Sequence, residues 1–268
     1  MKKKIYPTKV KSFKYSFTII DGFLGSGKTL IAPIISSYKN SQNQSISYDF
    51  ENVIIFNYLK KIDDDTATVF LKFIAEENLF NYEIGRKLNL REFDHTGPKY
   101  NPKIKNDLKK IKFDYEKKVL KKINNQNKVL NFVAHKTFLN YKILKKTFKN
   151  SFLLLISVRH PVFIFRHYYN FYKNLKNTPK DFTVNINYQK KNFPWFYREI
   201  LNKTSNKLGD NILNLLLFLQ NKIIQLQNKK NIETINFEEF VINPKKYLIK
   251  IEKKISLKKN KKLLYKIL

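Results

Sequence analysis

The chain has 268 residues, 43% of them hydrophobic, and a formal charge of +32 from 53 Lys and Arg against 21 Asp and Glu. That apolar content supports a buried core and excludes global disorder, and the lack of any cysteine excludes a disulfide framework and a thiolate metal site. No apolar run approaches the roughly 20 residues of a membrane span, and the start, Met1 to Pro7, is basic without the apolar segment of a signal peptide, so a cytoplasmic location is expected.

The charge has two readings. A basic surface attracts nucleic acid. Lysine, asparagine, isoleucine, phenylalanine and tyrosine dominate, however, and all have AT-rich codons, while the lysines are scattered rather than gathered in one arm. Base composition of the genome therefore explains the charge without a dedicated nucleic-acid surface, and none is expected. Either way the field favours anionic ligands.

Residues 1–15 form a basic lead-in, and Phe17-Thr18-Ile19-Ile20 sits in a strand predicted near 16–21. Gly22-Phe23-Leu24-Gly25-Ser26-Gly27-Lys28-Thr29 follows and opens into Leu30-Ile31-Ala32. Strand, glycine-rich turn and helix start together fit a phosphate loop. Glycines let the backbone coil with its N–H groups inward, the helix start adds partial positive charge, and Lys28 adds a full one. The helix reaches about Tyr38, with a kink expected at Pro33. After the polar stretch Ser41–Ser45, helices are expected over 52–62 and 64–81, then a loop over 89–101. A long charged helix over 103–124 carries Ile104, Leu108, Ile111, Tyr115, Val119 and Ile123 at helical spacing.

The rhythm then changes. A short strand, Val129 to Val133, ends at Ala134-His135, and a helix is expected near 139–148. The run Ser151 to Val158 is apolar enough for a fully buried parallel strand and ends at Arg159-His160-Pro161. Helices over 162–176 and much of 195–228, a strand from Ile232 to Phe237 and a closing helix complete the chain. This alternation predicts an α/β fold in three layers, of the P-loop type. Its central parallel sheet has about four or five strands, with helices on both faces. One domain over 1–268, with a helical insertion at about 52–125, is expected. Ligands in such sheets sit at the carboxyl ends of strands, where the loop, His135 and Arg159 all lie.

Three segments, in order, resemble the sulfotransferase family, whose members use 3′-phosphoadenosine-5′-phosphosulfate (PAPS). Ser26-Gly27-Lys28-Thr29 is similar to the family's 5′-phosphosulfate loop. Val158-Arg159-His160-Pro161 with Phe165-Arg166-His167-Tyr168-Tyr169 is similar to its 3′-phosphate segment. Ile235-Asn236-Phe237-Glu238-Glu239-Phe240 with Asn243-Pro244 is similar to its aromatic-acidic element before the last helix. The sequence departs from the family in several ways, among them the lack of a recognisable late basic-glycine segment of cytosolic members. Lys28 stands where nucleotide hydrolases have their lysine, His167 replaces a serine, and Val133-Ala134 replace the lysine and threonine before the histidine of cytosolic members.

The resemblance implies PAPS as co-substrate, bound by Gly25, Ser26, Gly27, Lys28, Thr29 and Leu30 at its phosphosulfate. Arg159 and His167 would bind its 3′-phosphate, and Phe237 would stack on adenine; the competing readings are an Arg159 paired with a carboxylate and a Phe237 that is a core aromatic. It implies a hydroxyl acceptor, a carbohydrate or small metabolite, a bacterial or glycan-type branch, and no metal. Lys28 would meet charge on the leaving phosphate, and His135 would act as base, since neutral imidazole titrates near working pH. A plain loop histidine is the bland alternative. His95 is a loop hydrogen-bonder or an acceptor-pocket residue, His160 is structural, and Asp63-Asp64-Asp65 caps a helix rather than holding a metal. A rival reading, a kinase or nucleotide hydrolase, needs an aspartate at a strand end for magnesium, and Asp49 is its candidate. A third, a basic nucleic-acid binder, rests on charge alone.

Overall fold

The computed structural model describes residues 7–112, 116–174 and 182–259. Six strands form: β1 (Tyr15–Gly22), β2 (Lys128–Val133), β3 (Phe152–Val158), β4 (Asn185–Tyr188), β5 (Lys191–Pro194) and β6 (Ile232–Asn236). Four of them make one parallel sheet in the order β2-β1-β3-β6. Parallel strands need crossovers, and helices lie in them: α1 (Lys28–Ser36), α2 (Tyr48–Tyr58), α3 (Asp64–Glu83), α4 (Ile104–Lys110), α5 (Glu116–Gln126), α6 (Tyr141–Phe148), α7 (Pro161–Asn174) and α8 (Leu208–Leu226), with α9 (Phe237–Ile242) and α10 (Pro244–Lys254) following the last strand.

Period-two alternation splits the core into two layers. Phe17 and Ile19 of β1 lie with Phe132, Leu154 and Ile156 against Phe50 and Ile54 of α2, Leu71 of α3 and Leu215 of α8. Ile20 lies with Val129, Val133, Leu153 and Leu155 against Ile31 and Ile35 of α1 and Leu248 and Ile251 of α10. Both faces of the sheet are thus covered, which is why its strands read as continuous apolar runs.

Several boundaries differ from expectation for local reasons. α2 starts at Tyr48, four residues early, because Ser47 Oγ accepts from the Phe50 amide at 3.4 Å. Pro33 lies within α1, which continues through Ser36 as one element. The helix expected over 103–124 is α4 and α5, and Tyr115 falls outside the described residues, as do positions 175 and 176 at the end of the helix expected over 162–176. The helices expected over much of 195–228 are a 3-10 segment, Trp195–Lys203, followed by α8. Ser205 breaks the two apart, its amide donating to Asn211 Oδ1 at 2.7 Å. The antiparallel β4–β5 hairpin was not anticipated. Its turn places Gln189 and Lys190 at φ 49 and 62 without the Asn-Gly pair that would announce such a turn.

Candidate active site

The loop between β1 and α1 is shaped by glycine. Gly25 and Gly27 lie at φ 75 and 88, and a Cβ on Gly27 would fall 2.1 Å from the Phe237 ring, one on Gly25 2.8 Å from the His167 ring. The loop is tied to the sheet by Ser157 Oγ, which donates to Ser26 O at 2.5 Å, and to α7 by the Leu24 amide, which donates to Tyr168 Oη at 3.2 Å. The amides of Gly25, Gly27, Lys28 and Thr29 have no acceptor among the described residues. Four free donors at a helix N-terminus make an anion cradle. Lys28 is only 8% exposed and its Nζ donates to Phe23 O at 2.8 Å. Burial pulls its ammonium below the ordinary value, while Asp21 and Glu51 oppose the shift. Leu30 stands apart: its amide is spent on Gly27 O and its side chain is 44% exposed.

Arg159 leaves the end of β3 and reaches back to the loop, where one terminal nitrogen donates to Gly25 O at 3.1 Å. Its guanidinium lies between the rings of Phe163 and Phe237, at 5.0 and 4.8 Å from their centroids. Arg159 Nε is buried without a hydrogen-bond partner, and the nearest carboxylate oxygen, Glu238 Oε1, is 3.6 Å away. Arg159, His167 and Phe237, read from the sequence as one site, do converge on the phosphate loop. Glu238 also accepts from the His160 amide at 3.1 Å, and Glu239 caps its neighbourhood through Tyr247 Oη at 2.5 Å, so this acidic pair is architectural.

His135 follows β2, and its Nδ1 lies 3.0 Å from Glu51 Oε1 and 3.2 Å from Oε2. Glu51 is buried on α2, which pushes its carboxyl above the usual carboxylate range, with His135 and Lys28 pulling it back. The turn after His135 is held by Asp21, at the end of β1. Its Oδ1 accepts from the Gly22 and Lys136 amides, each at 2.6 Å, and its Oδ2 from Thr137 Oγ1 at 2.7 Å and the Phe138 amide at 3.1 Å. Four donors satisfy this buried carboxylate and fix the strand end that carries His135.

Two cavities meet here. One, of about 330 Å³, lies over the loop and is lined by Gly25 to Thr29, His95, His167 and His135. The other, of about 310 Å³, is lined by Glu51, His135, Lys136 and the rings of Tyr48, Phe171, Trp195 and Phe196. Leu24 and His135 border both. His95 therefore faces the loop cavity, not the second one, and its carbonyl accepts from Gln44 Nε2 at 2.9 Å. Asp63 caps α3, accepting from the Asp65 and Thr66 amides at 2.9 and 2.8 Å. Asp49 is exposed in the first turn of α2. No group of three His, Asp or Glu suited to a metal occurs among the described residues.

No protein-family model and no curated protein sequence matches the chain. Its fold is similar to sulfotransferase domains of known structure. One, from the Synechococcus PCC 7002 olefin synthase, shares 11% identity at a TM-score of 0.48 over 97% of this chain and 80% of that one. Another, from the curacin biosynthetic pathway, shares 11% at 0.45 over 94% and 77%. At that identity and TM-score the likeness carries no argument about function, which rests on this chain's own residues. Sequence reasoning missed Glu51, Asp21 and Lys136. Glu51 carries no local signal, whereas Asp21, at a strand end beside the loop, had a positional one.

Proposed function

We propose that this chain transfers a sulfuryl group from PAPS to the hydroxyl of a small acceptor. The observation that carries the reading is the junction at His135, where an anion-binding loop cavity and a second, largely apolar cavity share one imidazole. A donor anion on one side and a hydroxyl on the other would meet at that ring.

The site fits the donor. The free amides of Gly25, Gly27, Lys28 and Thr29 and the Lys28 ammonium suit the phosphosulfate. Arg159, whose buried Nε has no hydrogen-bond partner and only a long ion pair with Glu238 at 3.6 Å, suits the 3′-phosphate. With Glu51 ionised, its contact with His135 Nδ1 selects the Nδ1–H tautomer and leaves Nε2 as the proton acceptor. In the transfer, the acceptor oxygen bonds to sulfur as its proton passes to His135 Nε2. The bond between sulfur and the bridging oxygen breaks, and its electron pair leaves on the phosphate of 3′,5′-ADP. Lys28 and the loop amides meet the charge that develops there, and donors already in place lower the barrier more than they tighten binding.

The test is a pair of measurements. Thermal shift should show stabilisation by 3′,5′-ADP without metal, and magnesium-dependent stabilisation by ATP or GTP alone would overturn the reading. His135→Ala should keep the affinity for 3′,5′-ADP and lower turnover by roughly 100-fold or more, the usual scale for a lost general base.

A further inference from the structure

Lys136 is the charged residue of the second cavity whose chemistry the transfer step does not use. It follows His135 with its backbone in the left-handed region at φ 64, a conformation side-chain-bearing residues adopt only when held. Asp21 holds it, through the Lys136 amide at 2.6 Å. The side chain runs beneath aromatic rings, its Nζ 4.1 Å from the Phe196 centroid and 5.6 Å from that of Tyr168. The residue is 7% exposed and lines the cavity beside His135 and Glu51, and it does not line the cavity over the loop.

Its ammonium has neither a hydrogen-bond acceptor nor a carboxylate at ion-pair distance among the described residues. The two nearby acids are already engaged: Asp21 by four donors, and Glu51 by His135. A buried cation in an aromatic setting without a counter-charge is costly unless a ligand supplies one. A single uncompensated cation in a cavity lined mostly by aromatic and aliphatic side chains balances a monoanion, not a phosphate dianion. Asn52, Thr183 and the hydroxyls of Tyr48 and Tyr172 are too few to pair the many hydroxyls of a carbohydrate, most of which would face rings and aliphatic side chains.

We infer that this cavity takes hydroxylated carboxylic acids with an apolar body, the carboxylate on Lys136 Nζ and the body against Tyr48, Phe171 and Trp195. The placing of the acceptor hydroxyl at His135 rests on the sulfuryl-transfer reading, whereas the carboxylate site does not.

Trp195 is the chain's single tryptophan and lines the cavity, so its fluorescence reports occupancy directly. The probes are 3-hydroxy-3-phenylpropanoate and its methyl ester, titrated at pH 7 without any sulfuryl donor. The acid should bind at least tenfold more tightly than the ester to the wild type and to Lys136→Arg, and no better than the ester to Lys136→Met. General attraction by a chain of charge +32 would survive the loss of one lysine, so it cannot imitate this pattern. Equal binding of acid and ester to the wild type, a preference that survives in Lys136→Met, or no response of Trp195 to the acid each overturns the inference. A protein that takes the acid but ignores 3′,5′-ADP loses the sulfuryl-transfer reading and keeps the carboxylate site; one that binds 3′,5′-ADP but not the acid does the reverse.

Discussion

His135 Nδ1 lies 3.0 Å from Glu51 Oε1, although 84 positions separate the two residues in sequence. The contact joins the end of β2 to the first turns of α2 and gives the histidine a fixed face toward both cavities. Glu51→Gln removes the charge that steadies an imidazolium while leaving a polar group of the same size. Turnover should fall by roughly 100-fold with the affinity for 3′,5′-ADP unchanged, as measured by steady-state kinetics beside calorimetry. A variant that loses both together, or loses its thermal stability first, would mean that Glu51 serves the fold rather than the proton.

Gly27→Ala places a Cβ 2.1 Å from Phe237 and forces alanine to φ 88. The left-handed backbone alone costs about 1–2 kcal/mol. The variant should lose 3′,5′-ADP binding in a thermal-shift assay, and Gly27→Ala combined with Phe237→Ala should recover only part of it, because the clash is relieved and the backbone cost is not.

Arg159→Ala should weaken 3′,5′-ADP by about 1.5–3 kcal/mol, the worth of a hydrogen bond to a charged group, and leave 5′-AMP nearly unaffected, since only the former carries the 3′-phosphate. Arg159→Lys should not rescue it. The guanidinium is a planar fork held between Phe163 and Phe237, and an ammonium offers neither the plane nor the fork. Calorimetry with both nucleotides decides the matter.

Lys136 makes stability depend on alkaline pH. Burial, aided by Lys28 and opposed by Asp21 and Glu51, brings its ammonium down from 10.5 to about 8. Because the folded value lies below the unfolded one, the folded chain gives up this proton first. The wild type therefore gains stability as pH rises from about 8 to 10.5, and carries the full penalty below 8. Lys136→Met has no such group. It should be more stable than the wild type by roughly 3 kcal/mol at pH 7, with the gap closing above pH 8, as read from urea unfolding at several pH values.

Much of the fold was legible because its signals are local. Apolar runs such as Phe152 to Val158 read as buried strands, and they are buried because the sheet is covered on both faces. The loop was legible from glycine spacing and a following helix, and Arg159 and His135 from their places at strand ends. Ser47 at the start of α2 and the turn of the β4–β5 hairpin were not read. A side-chain cap and two left-handed residues, Gln189 and Lys190, are choices that spacing alone does not announce.

Sequence by itself determined that this chain would build a covered parallel sheet with a glycine loop at its carboxyl edge, since each strand's apolar run and each glycine's freedom are properties of a few adjacent residues. Only the tertiary structure decided what His135 faces. Packing α2 on one face of the sheet brings Glu51 to the imidazole, Asp21 clamps the turn that buries Lys136, and Trp195 and Phe196 close the second cavity. Those contacts span from tens to more than a hundred positions in sequence, and no periodicity encodes them, because their partners are chosen by the packing of helices on a sheet rather than by neighbours along the chain.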